Sequence, residues 1–540
     1  MPISTELTPL RFLQRSAEIH PDKLAIVDGP RRLTFADFAR MANRMARSLQ
    51  ALGIVPGDRV AFLTGNGAEM VVAHFGVPLA GAVLVALNTR LGREEINGIC
   101  GHAGTTVLVT DTDPFVNTLK SEAPPGVRVV VLAPSIDGGD APMFDIAGDA
   151  LRWSEFQALG SDDPLPWEIA DERSLIAINY TSGTTGQPKG AMYDHRGAYL
   201  NSIGQIYHQG FTPHSVYLWT LPMFHCNGWC SVWASTAAHA TQVCLRAVRD
   251  HLIWEAFTTE GITHLCGSPT VLRTICDAPQ ASRLDHPLTV TTAGAPPSPT
   301  TIARFLDLGV QVNHVYGLTE TYGPYSICEL QPTWEPLDRH ARSLLQARQG
   351  VGMLTAERLR VVRTIGWDTL VDVPADGETL GEIVMRGNTV MAGYYRDQEA
   401  TDEAFRGGWF HSGDLGVMHP DGYVELLDRA KDIIISGGES ISSIEVEHAI
   451  LSHSAVMDVA VVGIPDDRWG EVPKAFVVPK DDLTLSAREI IEHVRDRIAH
   501  FKAPREVEFL AALPRTETGK VRKNVLRERE WAMCRSRIRG

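Results

Sequence analysis

The most informative stretch of the sequence is Tyr180-Thr181-Ser182-Gly183-Thr184-Thr185-Gly186-Gln187-Pro188-Lys189-Gly190. It follows an apolar run at residues 175–178 that predicts a strand. Glycines let backbone N–H groups approach phosphate oxygens, hydroxyls add donors or a metal ligand, and the lysine adds positive charge. The pattern predicts a phosphate-binding loop, although not a Walker A loop, because Gly190 rather than Ser or Thr follows Lys189. On composition alone, a surface loop rich in Gly, Ser and Thr is an equal alternative.

Strand and helix patterns alternate on both sides of this stretch. Thr34 and Asp37 predict a helix that opens with a capping box and ends at Gly53. The same alternation resumes between residues 175 and 327, whereas residues 135–166 lack periodicity and are predicted to form a surface loop. Such a rhythm is typical of α/β folds with mostly parallel sheets. The other elements predicted here are strands at 60–63, 83–87 and 106–110 and a helix at 92–101.

The sequence pattern changes at Asp421: an Asp-Gly turn precedes a predicted strand, and the charged stretch at residues 428–432 follows. We place the domain boundary in that stretch, which gives a large N-terminal domain at residues 1–428 and a C-terminal domain at residues 429–540. The predicted fold class is α/β: mixed sheets flanked by helices in the first domain, and a smaller α+β second domain. In the second domain we predict helices at 443–452 and 487–500 and strands at 456–462 and 475–478.

Composition excludes several classes of protein. The 540 residues include 44% hydrophobic and 21% charged residues, as in globular proteins, and the formal net charge of -15 argues against nucleic-acid binding. The longest apolar run, residues 71–87, is interrupted by His74, Pro78 and two glycines, which favours a buried helix, a turn and a strand over a membrane span. No signal-peptide pattern opens the chain, so we expect a cytoplasmic protein. The eight cysteines lack a C-x-x-C pair and are expected to be reduced core thiols, although His225, Cys226 and Cys230 could be imagined as metal ligands.

The stretch at residues 180–190 resembles the signature loop of the adenylate-forming superfamily, which includes acyl-CoA synthetases, peptide-synthetase adenylation domains and beetle luciferase. Later segments resemble later motifs of that superfamily in the same order, and together they span about residues 25–525. These segments are Tyr316-Gly317-Leu318-Thr319-Glu320-Thr321, Gly408-Trp409-Phe410-His411-Ser412-Gly413-Asp414, Asp428-Arg429-Ala430-Lys431-Asp432, Ser436-Gly437-Gly438-Glu439 and Pro514-Arg515-Thr516-Glu517-Thr518-Gly519-Lys520.

The resemblance implies that a mobile C-terminal domain serves two successive reactions that use ATP, Mg²⁺ and CoA. An acid first displaces pyrophosphate from ATP to give an acyl-adenylate, and a thiol then takes the acyl group. By motif match, Lys520 is the adenylation lysine, Lys431 lies at the hinge, and Thr184 and Glu320 are the Mg²⁺-associated oxygen donors. The predicted catalytic residues are Lys520, His225, Glu320 and Thr184. The predicted ATP or AMP contacts are Thr181, Ser182, Gly183, Thr184, Thr185, Gly186, Lys189, Gly294, Ala295, Pro296, Tyr316, Gly317, Thr319, Glu320, Asp414 and Arg429.

Within that set, the resemblance assigns Asp414 and Arg429 to the ribose and Tyr316 to the adenine, with Gly294-Ala295-Pro296 on the other side of the base. Gly437, Gly438 and Glu439 match the loop that forms the tunnel for the thiol. No carrier domain or phosphopantetheine signature follows in the sequence, so free CoA is the simpler acceptor. The alternative is an enzyme that loads a fatty or aromatic acid onto a carrier protein, and an ATP-binding scaffold without turnover is a more distant one.

The acyl pocket is predicted around His225, Trp229, Trp233 and Gly317. If residues 227–233 are helical, the two tryptophans share one face and shorten the cavity. The segments resemble ligases of short- and medium-chain acids, among them 3-methylthiopropionate-CoA ligases and plant acyl-activating enzymes. We therefore expect a short or medium acid, with 3-methylthiopropionate as one candidate. The family likeness is also compatible with a homodimer.

Overall fold

The computed structural model describes residues 4–111, 121–140, 146–147, 149–181, 188–294, 299–437, 439–466, 468–480, 485–515 and 520–538. The helices are α1 (Leu10–Ile19), α2 (Phe35–Ala51), α3 (Ala68–Leu79), α4 (Arg93–Ala103), α5 (Trp153–Leu159), α6 (His195–Gln209), α7 (Cys226–Trp229), α8 (Ser231–Ala237), α9 (Asp250–Thr259), α10 (Pro269–Cys276), α11 (Pro299–Asp307), α12 (Arg339–Gln346), α13 (Gln398–Ala404), α14 (Ser443–Leu451), α15 (Ala487–Arg495) and α16 (Lys523–Ile538).

The strands up to residue 300 are β1 (Leu24–Asp28), β2 (Arg31–Thr34), β3 (Arg59–Leu63), β4 (Val83–Ala86), β5 (Thr105–Thr110), β6 (Ser121–Glu122), β7 (Val129–Leu132), β8 (Ile146–Ala147), β9 (Asp149–Arg152), β10 (Leu175–Tyr180), β11 (Gly190–Asp194), β12 (Val216–Leu218), β13 (Thr241–Val243), β14 (His264–Gly267) and β15 (Thr289–Thr292). The later strands are β16 (Gln311–Leu318), β17 (Gly323–Ile327), β18 (Val351–Gly352), β19 (Arg360–Ile365), β20 (Thr369–Asp372), β21 (Gly381–Met385), β22 (Phe410–Met418), β23 (Val424–Arg429), β24 (Ile434–Ser436), β25 (Glu439–Ile441), β26 (Val456–Asp466), β27 (Gly470–Pro479) and β28 (Glu506–Phe509).

Three large sheets form the N-terminal part of the chain. One has the order β18-β17-β16-β15-β14-β12-β13-β1-β2, a second β11-β10-β4-β3-β5-β7-β9, and the third β20-β19-β21-β22-β23. Strands pair in parallel in the interior of the first two sheets and antiparallel in the third. The C-terminal part adds a sheet of β25-β24-β27-β26, with β28 beside β27. The predicted α/β class with a small α+β C-terminal domain is confirmed.

Local signals placed several elements correctly. Thr34 Oγ1 accepts a hydrogen bond from Asp37 N at 3.1 Å, and Thr34 N donates to Asp37 Oδ2 at 3.0 Å, so the predicted capping box at the start of α2 is confirmed. The apolar run at residues 71–87 forms the buried helix α3, a turn and strand β4, as expected. In the described part of the chain, no helix combines the length and apolar character that crossing a bilayer requires.

Two predictions are wrong in part: the surface loop at residues 135–166 and the end of the helix at residues 487–500. Residues 135–166 include strand β9, which pairs with β7, and helix α5, whose Trp153 and Phe156 are buried. These tertiary contacts order a segment whose polar sequence carries little periodicity. Helix α15 ends at Arg495 rather than at residue 500, because the N–H of Arg497 donates to the carbonyl of Val494, three residues back, instead of four as in an α-helix.

Candidate active site

Strand ends bring the predicted nucleotide site together. In the parallel sheets, β10 ends at Tyr180 and β15 at Thr292, and ligands of such sheets bind at the carboxyl ends of strands. The loop after β10 closes through a 2.9 Å hydrogen bond from Thr181 N to Lys189 O. The predicted contacts Ser182, Gly183, Thr184, Thr185, Gly186, Ala295, Pro296 and Gly438 lie outside the described residues.

Asp414 is the buried carboxylate of this site. It lies on β22, and its Oδ2 accepts a 2.7 Å hydrogen bond from Tyr316 Oη on β16, while Arg429 Nε lies 3.5 Å from Oδ1. Burial raises the pKa of Asp414, and the Arg429 cation, the Tyr316 hydroxyl and the Lys520 cation oppose that rise. The structure thus brings together the residues predicted for the ribose and the adenine.

Two predicted glycines are required by the backbone, Gly317 by close approach and Gly294 by its positive φ. A Cβ on Gly317 would lie 1.9 Å from the carbonyl oxygen of Gly323 on the neighbouring strand, so no other residue fits there. Gly294 has φ +93°, and a Cβ at this position would lie 3.7 Å from Lys520 Cε. The main chain after β15 therefore lies directly against the lysine from the C-terminal domain.

Lys520 reaches the N-terminal site in this conformation. Burial lowers the pKa of the ammonium and the Arg429 cation lowers it further, whereas Asp414 and Glu320 raise it. Burial also lowers the pKa of His225 to about 4, with the Lys520 cation adding to the effect. The imidazole is consequently neutral near pH 7, able to donate or accept a hydrogen bond without adding charge.

Residues 226–230, which include the short segment α7, have left-handed rather than right-handed helical backbone, and we call them the 226–230 turn. Their φ angles are 51°, 52°, 59°, 55° and 58°, and only one of the residues, Gly228, is glycine. The expectation of a helix across residues 227–233 is therefore wrong, and regular helix starts only at Ser231. Left-handed backbone costs about 1–2 kcal/mol per non-glycine residue. The surrounding structure must overcome that cost.

The contacts that hold the 226–230 turn come from several directions. Asn179 Nδ2 donates to Asn227 Oδ1 at 2.6 Å, and a Cβ on Gly228 would lie 2.4 Å from the ring of Trp219. Cys226 Sγ lies 3.6 Å from Thr319 Oγ1. These contacts join the turn to the end of β10 and to the segment that carries Glu320, so the strained backbone is fixed at the site.

The two predicted pocket tryptophans are held separately rather than on one helical face. Trp229 packs against Gly323, where a Cβ would lie 2.9 Å from the indole Cδ1. Trp233 is fully buried in α8, and its Nε1 donates to the carbonyl of His74 on α3 at 3.1 Å. Trp229 thus adjoins the β16–β17 connection beside the predicted site, while Trp233 joins α8 to α3.

Glu320, one of the two predicted Mg²⁺ donors, lies in a short turn of 3₁₀ helix at residues 319–321. The phenol of Tyr193 donates to Thr319 O at 2.6 Å and fixes the start of that turn. Within the described ranges, no group of three or more His, Cys, Asp or Glu side chains could hold a metal ion. A single protein carboxylate suits Mg²⁺, which keeps several waters and binds chiefly through substrate phosphates. Of the two predicted donors, Glu320 is described, and its carboxylate fits Mg²⁺ bound together with ATP.

The predicted hinge and tunnel residues lie in the C-terminal part. Burial and the Arg429 cation lower the pKa of Lys431, and the adjacent Asp432 forms an ion pair with Arg527 of α16. Gly437, at φ +61°, packs against the ring of Trp469, and its N–H donates to Trp469 O at 2.8 Å. Glu439 is exposed at the start of β25.

Sequence reasoning missed three side chains that contact the predicted site residues or join the two domains. Tyr394 Oη donates to Glu320 Oε1 at 2.8 Å, and its ring lies under Lys189. Arg273 on α10 donates to Met457 O at 2.5 Å and lies 3.9 Å from Asp458, which also pairs with Arg515. The two adjacent tyrosines at 394–395 were a sequence signal that could have identified Tyr394. No local pattern identifies Arg273, which contacts a residue 184 positions away.

Known proteins are similar to this chain in sequence and in fold. The AMP-binding enzyme family matches residues 13–395, and the AMP-binding enzyme C-terminal domain matches residues 445–520. An acetate–CoA ligase of Humulus lupulus is 42% identical and covers 98% of this chain and 95% of its own. A 4-hydroxybutyrate–CoA ligase of Metallosphaera sedula is 41% identical, with coverage of 96% and 94%. An acetate/butyrate–CoA ligase of Arabidopsis thaliana is 40% identical, with coverage of 98% and 95%.

Among solved structures, ATP-bound MatB from Rhodopseudomonas palustris superposes with a TM-score of 0.81 at 28% identity and covers 96% of this chain and 98% of its own. The sequence matches extend over both domains and nearly the full length of the chain. The fold agrees with that of the solved MatB structure. The chain therefore belongs to the adenylate-forming superfamily of AMP-binding enzymes and is an AMP-forming acid–thiol ligase of that family.

Proposed function

We propose that this protein joins a short- or medium-chain carboxylic acid to CoA through an acyl-adenylate. A carboxylate oxygen of the acid attacks the α-phosphorus of ATP, the bond to the β-phosphate oxygen breaks, and pyrophosphate leaves. The thiol sulfur of CoA then attacks the acyl carbon, the bond to the AMP oxygen breaks, and the thiol proton is released. The product is an acyl-CoA thioester together with AMP.

The observation that carries this proposal is the position of Lys520. Its side chain passes Gly294 and lies within electrostatic reach of Asp414, Glu320 and His225 on the N-terminal domain. In the first step, negative charge accumulates at the α-phosphate while a negatively charged acid approaches. A buried ammonium beside that position stabilises both, and positioned cations are the main means of catalysing phosphoryl chemistry.

Each surrounding residue has a separate task in this proposal. Asp414 accepts hydrogen bonds from the ribose hydroxyls, with Arg429 beside it, and Tyr316 orients the adenine. Lys189 and the loop before it hold the terminal phosphates. Mg²⁺, where it binds, neutralises phosphate charge, and Glu320 with Thr184 would hold it. The neutral His225 orients the acid without repelling the ammonium of Lys520.

The second step requires a different arrangement of the C-terminal domain. Gly437, one of the residues proposed for the thiol tunnel, packs against Trp469, and Glu439 is exposed. A rotation at Lys431 would withdraw Lys520 and bring residues 437–439 to the acyl carbon. We propose the conformation described here as the adenylating one.

The choice of a small acid rests on the pocket and on the relatives. In this proposal, the indole of Trp229, which packs against Gly323 beside the strained 226–230 turn, limits how far an acyl chain can extend. Relatives along the full chain include an acetate–CoA ligase, an acetate/butyrate–CoA ligase and a 4-hydroxybutyrate–CoA ligase. We propose acids of this size as substrates and 3-methylthiopropionate as a further candidate, since its thioether chain has similar length.

The test is the release of pyrophosphate and AMP from ATP and Mg²⁺ with acetate, butyrate, 4-hydroxybutyrate, 3-methylthiopropionate, octanoate, benzoate and palmitate, each with and without CoA. We expect CoA-dependent turnover confined to the smaller acids. Pyrophosphate release with no CoA consumption would contradict the ligase and favour transfer to a carrier protein. Preference for palmitate would contradict the proposed pocket.

A further inference from the structure

Residues 391–395, which we call the 391–395 segment, connect Glu320 to strand β11, which begins directly after Lys189. On one side, Met391 N donates to the main-chain carbonyl of Glu320 at 2.8 Å. On the other side, Met192 N donates to Gly393 O at 3.0 Å and Tyr395 N donates to Gly190 O at 2.7 Å. The segment is therefore tied by backbone to the residue that offers the metal-binding carboxylate and to the strand that follows the phosphate loop.

Tyr394 extends this connection to the functional side chains. Its hydroxyl donates to Glu320 Oε1 at 2.8 Å, and the ammonium of Lys189 lies 5.0 Å from the centre of its ring. Thr401 Oγ1 accepts the Tyr394 N–H at 2.9 Å and fixes the backbone there. A carboxylate whose rotation is fixed by a hydrogen bond is a better oriented ligand, and a ring face attracts a cation that approaches it.

We propose that Tyr394 is a positioning residue that sets the Glu320 carboxylate and the Lys189 ammonium for the triphosphate of ATP and its divalent cation. The proposal rests on the adenylation step proposed above. In the hydrogen bond between the two side chains, the Tyr394 hydroxyl is the donor and the Glu320 carboxylate the acceptor. The two contacts are chemically separable, because the hydroxyl serves Glu320 and the ring serves Lys189.

The backbone explains why a tyrosine can occupy this position precisely between the two groups. Gly393 has φ +135°, and a Cβ there would lie 2.9 Å from Thr401 Cγ2, so the position just before Tyr394 requires glycine. Tyr394 also forms an antiparallel bridge with Ala191. The ring is thus presented from a main chain with little freedom, as a positioning role requires.

The test separates the hydroxyl from the ring. Tyr394→Phe removes the donor to Glu320 and keeps the ring face, whereas Tyr394→Leu removes both. Tyr395→Phe is the matched control, since that neighbouring ring packs against Arg396 and Arg59 instead. For Tyr394→Phe we expect the Mg²⁺ concentration that gives half-maximal pyrophosphate release to rise about tenfold, with the KM for the acid unchanged. For Tyr394→Leu we expect a further increase in the KM for ATP.

Two measurements exclude a merely structural effect. Mn²⁺ binding in the presence of a non-hydrolysable ATP analogue, followed by electron paramagnetic resonance, should weaken in Tyr394→Phe and not in Tyr395→Phe. Transfer from supplied acyl-adenylate to CoA should keep the wild-type rate. In a double-mutant cycle, Tyr394→Phe should add little to Glu320→Gln, because the hydroxyl acts through that carboxylate.

Wild-type Mg²⁺ dependence and Mn²⁺ binding in Tyr394→Phe would overturn the proposal, as would additive effects in the cycle. A loss of folded protein in Tyr394→Phe, detected by thermal unfolding, would assign the residue to structure and would equally overturn it. Failure of the proposed function looks different, because the wild-type protein would then release no pyrophosphate with any acid.

Discussion

Tyr316 Oη donates a 2.7 Å hydrogen bond to Asp414 Oδ2, which joins the nine-stranded sheet to the third sheet at the nucleotide site. This bond is one of the forces that oppose the rise in the pKa of Asp414 caused by burial. Tyr316→Phe should therefore leave Asp414 protonated to a higher pH and less able to accept ribose hydroxyls. We expect the KM for ATP to rise about tenfold, most strongly at the acidic end of a pH series, with a smaller change in kcat. A KM that rises equally at all pH values would contradict this reading.

Lys520 should matter mainly in the first reaction. Lys520→Ala removes the ammonium that lies beside Gly294 and Asp414, and by analogy with the loss of one charge-stabilising group we expect adenylation to slow at least about 100-fold. Transfer from supplied acyl-adenylate to CoA should survive better. The control is Lys480→Ala, at an exposed lysine of the same domain. Equal damage to both half-reactions would remove the role given to Lys520.

Asp458 should help to dock the C-terminal domain for adenylation. It pairs with Arg515, which precedes Lys520 by five positions, and lies 3.9 Å from Arg273 on the N-terminal domain. Because partly exposed ion pairs contribute about 1 kcal/mol, Asp458→Asn should slow adenylation about threefold to tenfold and leave the transfer step unchanged. Asp277→Asn breaks the exposed pair with Arg304 inside the N-terminal domain and serves as the control. Single-turnover rates of both steps provide the measurement, and a slower transfer step would count against docking.

Trp229 should limit the length of the acyl chain. Trp229→Leu opens space beside Gly323, and since a methylene in a fitted pocket is worth about tenfold or more in kcat/KM, we expect the octanoate-to-butyrate ratio to rise about tenfold. Trp367→Leu, at a tryptophan that is 65% exposed, should leave the ratio unchanged. An unchanged profile in Trp229→Leu would remove this indole from the pocket wall.

Buried histidines should make the fold sensitive to acid. Burial lowers the pKa of His74, His195 and His314 to about 4, below the value of about 6.5 in the unfolded chain. Between these values the unfolded state binds more protons, so the free energy of unfolding falls as the pH drops from about 6.5 to about 4, by up to about 3 kcal/mol per residue. Urea unfolding across this window should show the slope, and His74→Gln should reduce it while His214→Gln at an exposed position should not. A flat profile would contradict the burial effect.

Short-range chemistry made much of the fold and site predictable. The capping box of Thr34 and Asp37 spans four residues, and the pattern of glycines, hydroxyls and Lys189 spans the eleven residues 180–190. Both patterns are therefore visible in a short stretch of sequence. The order of the later motifs then indicated the family, which the comparisons confirm. Asp414, Arg429 and Tyr316, which motif match predicted as nucleotide contacts, lie together in the structure.

What sequence patterns could not supply depends on distant contacts. The 226–230 turn has a sequence that permits a right-handed helix, whereas in the structure it has the opposite hand and contacts Trp219, Asn179 and Gly323. Tyr394 acquires its partners through backbone pairing with a strand about 200 residues earlier. Helix α5 depends in the same way on burial of Trp153 and Phe156.

The left-handed path of residues 226–230 also bears on how new specificities could be engineered. Most side chains, above all those branched at Cβ, are disfavoured at positive φ. A randomised library at these five positions should consequently yield many unfolded clones. Libraries at positions outside the turn and outside its contacts with Asn179, Trp219 and Gly323 would leave this backbone geometry intact. Evolution of this enzyme toward other acids should therefore proceed around the turn more readily than within it.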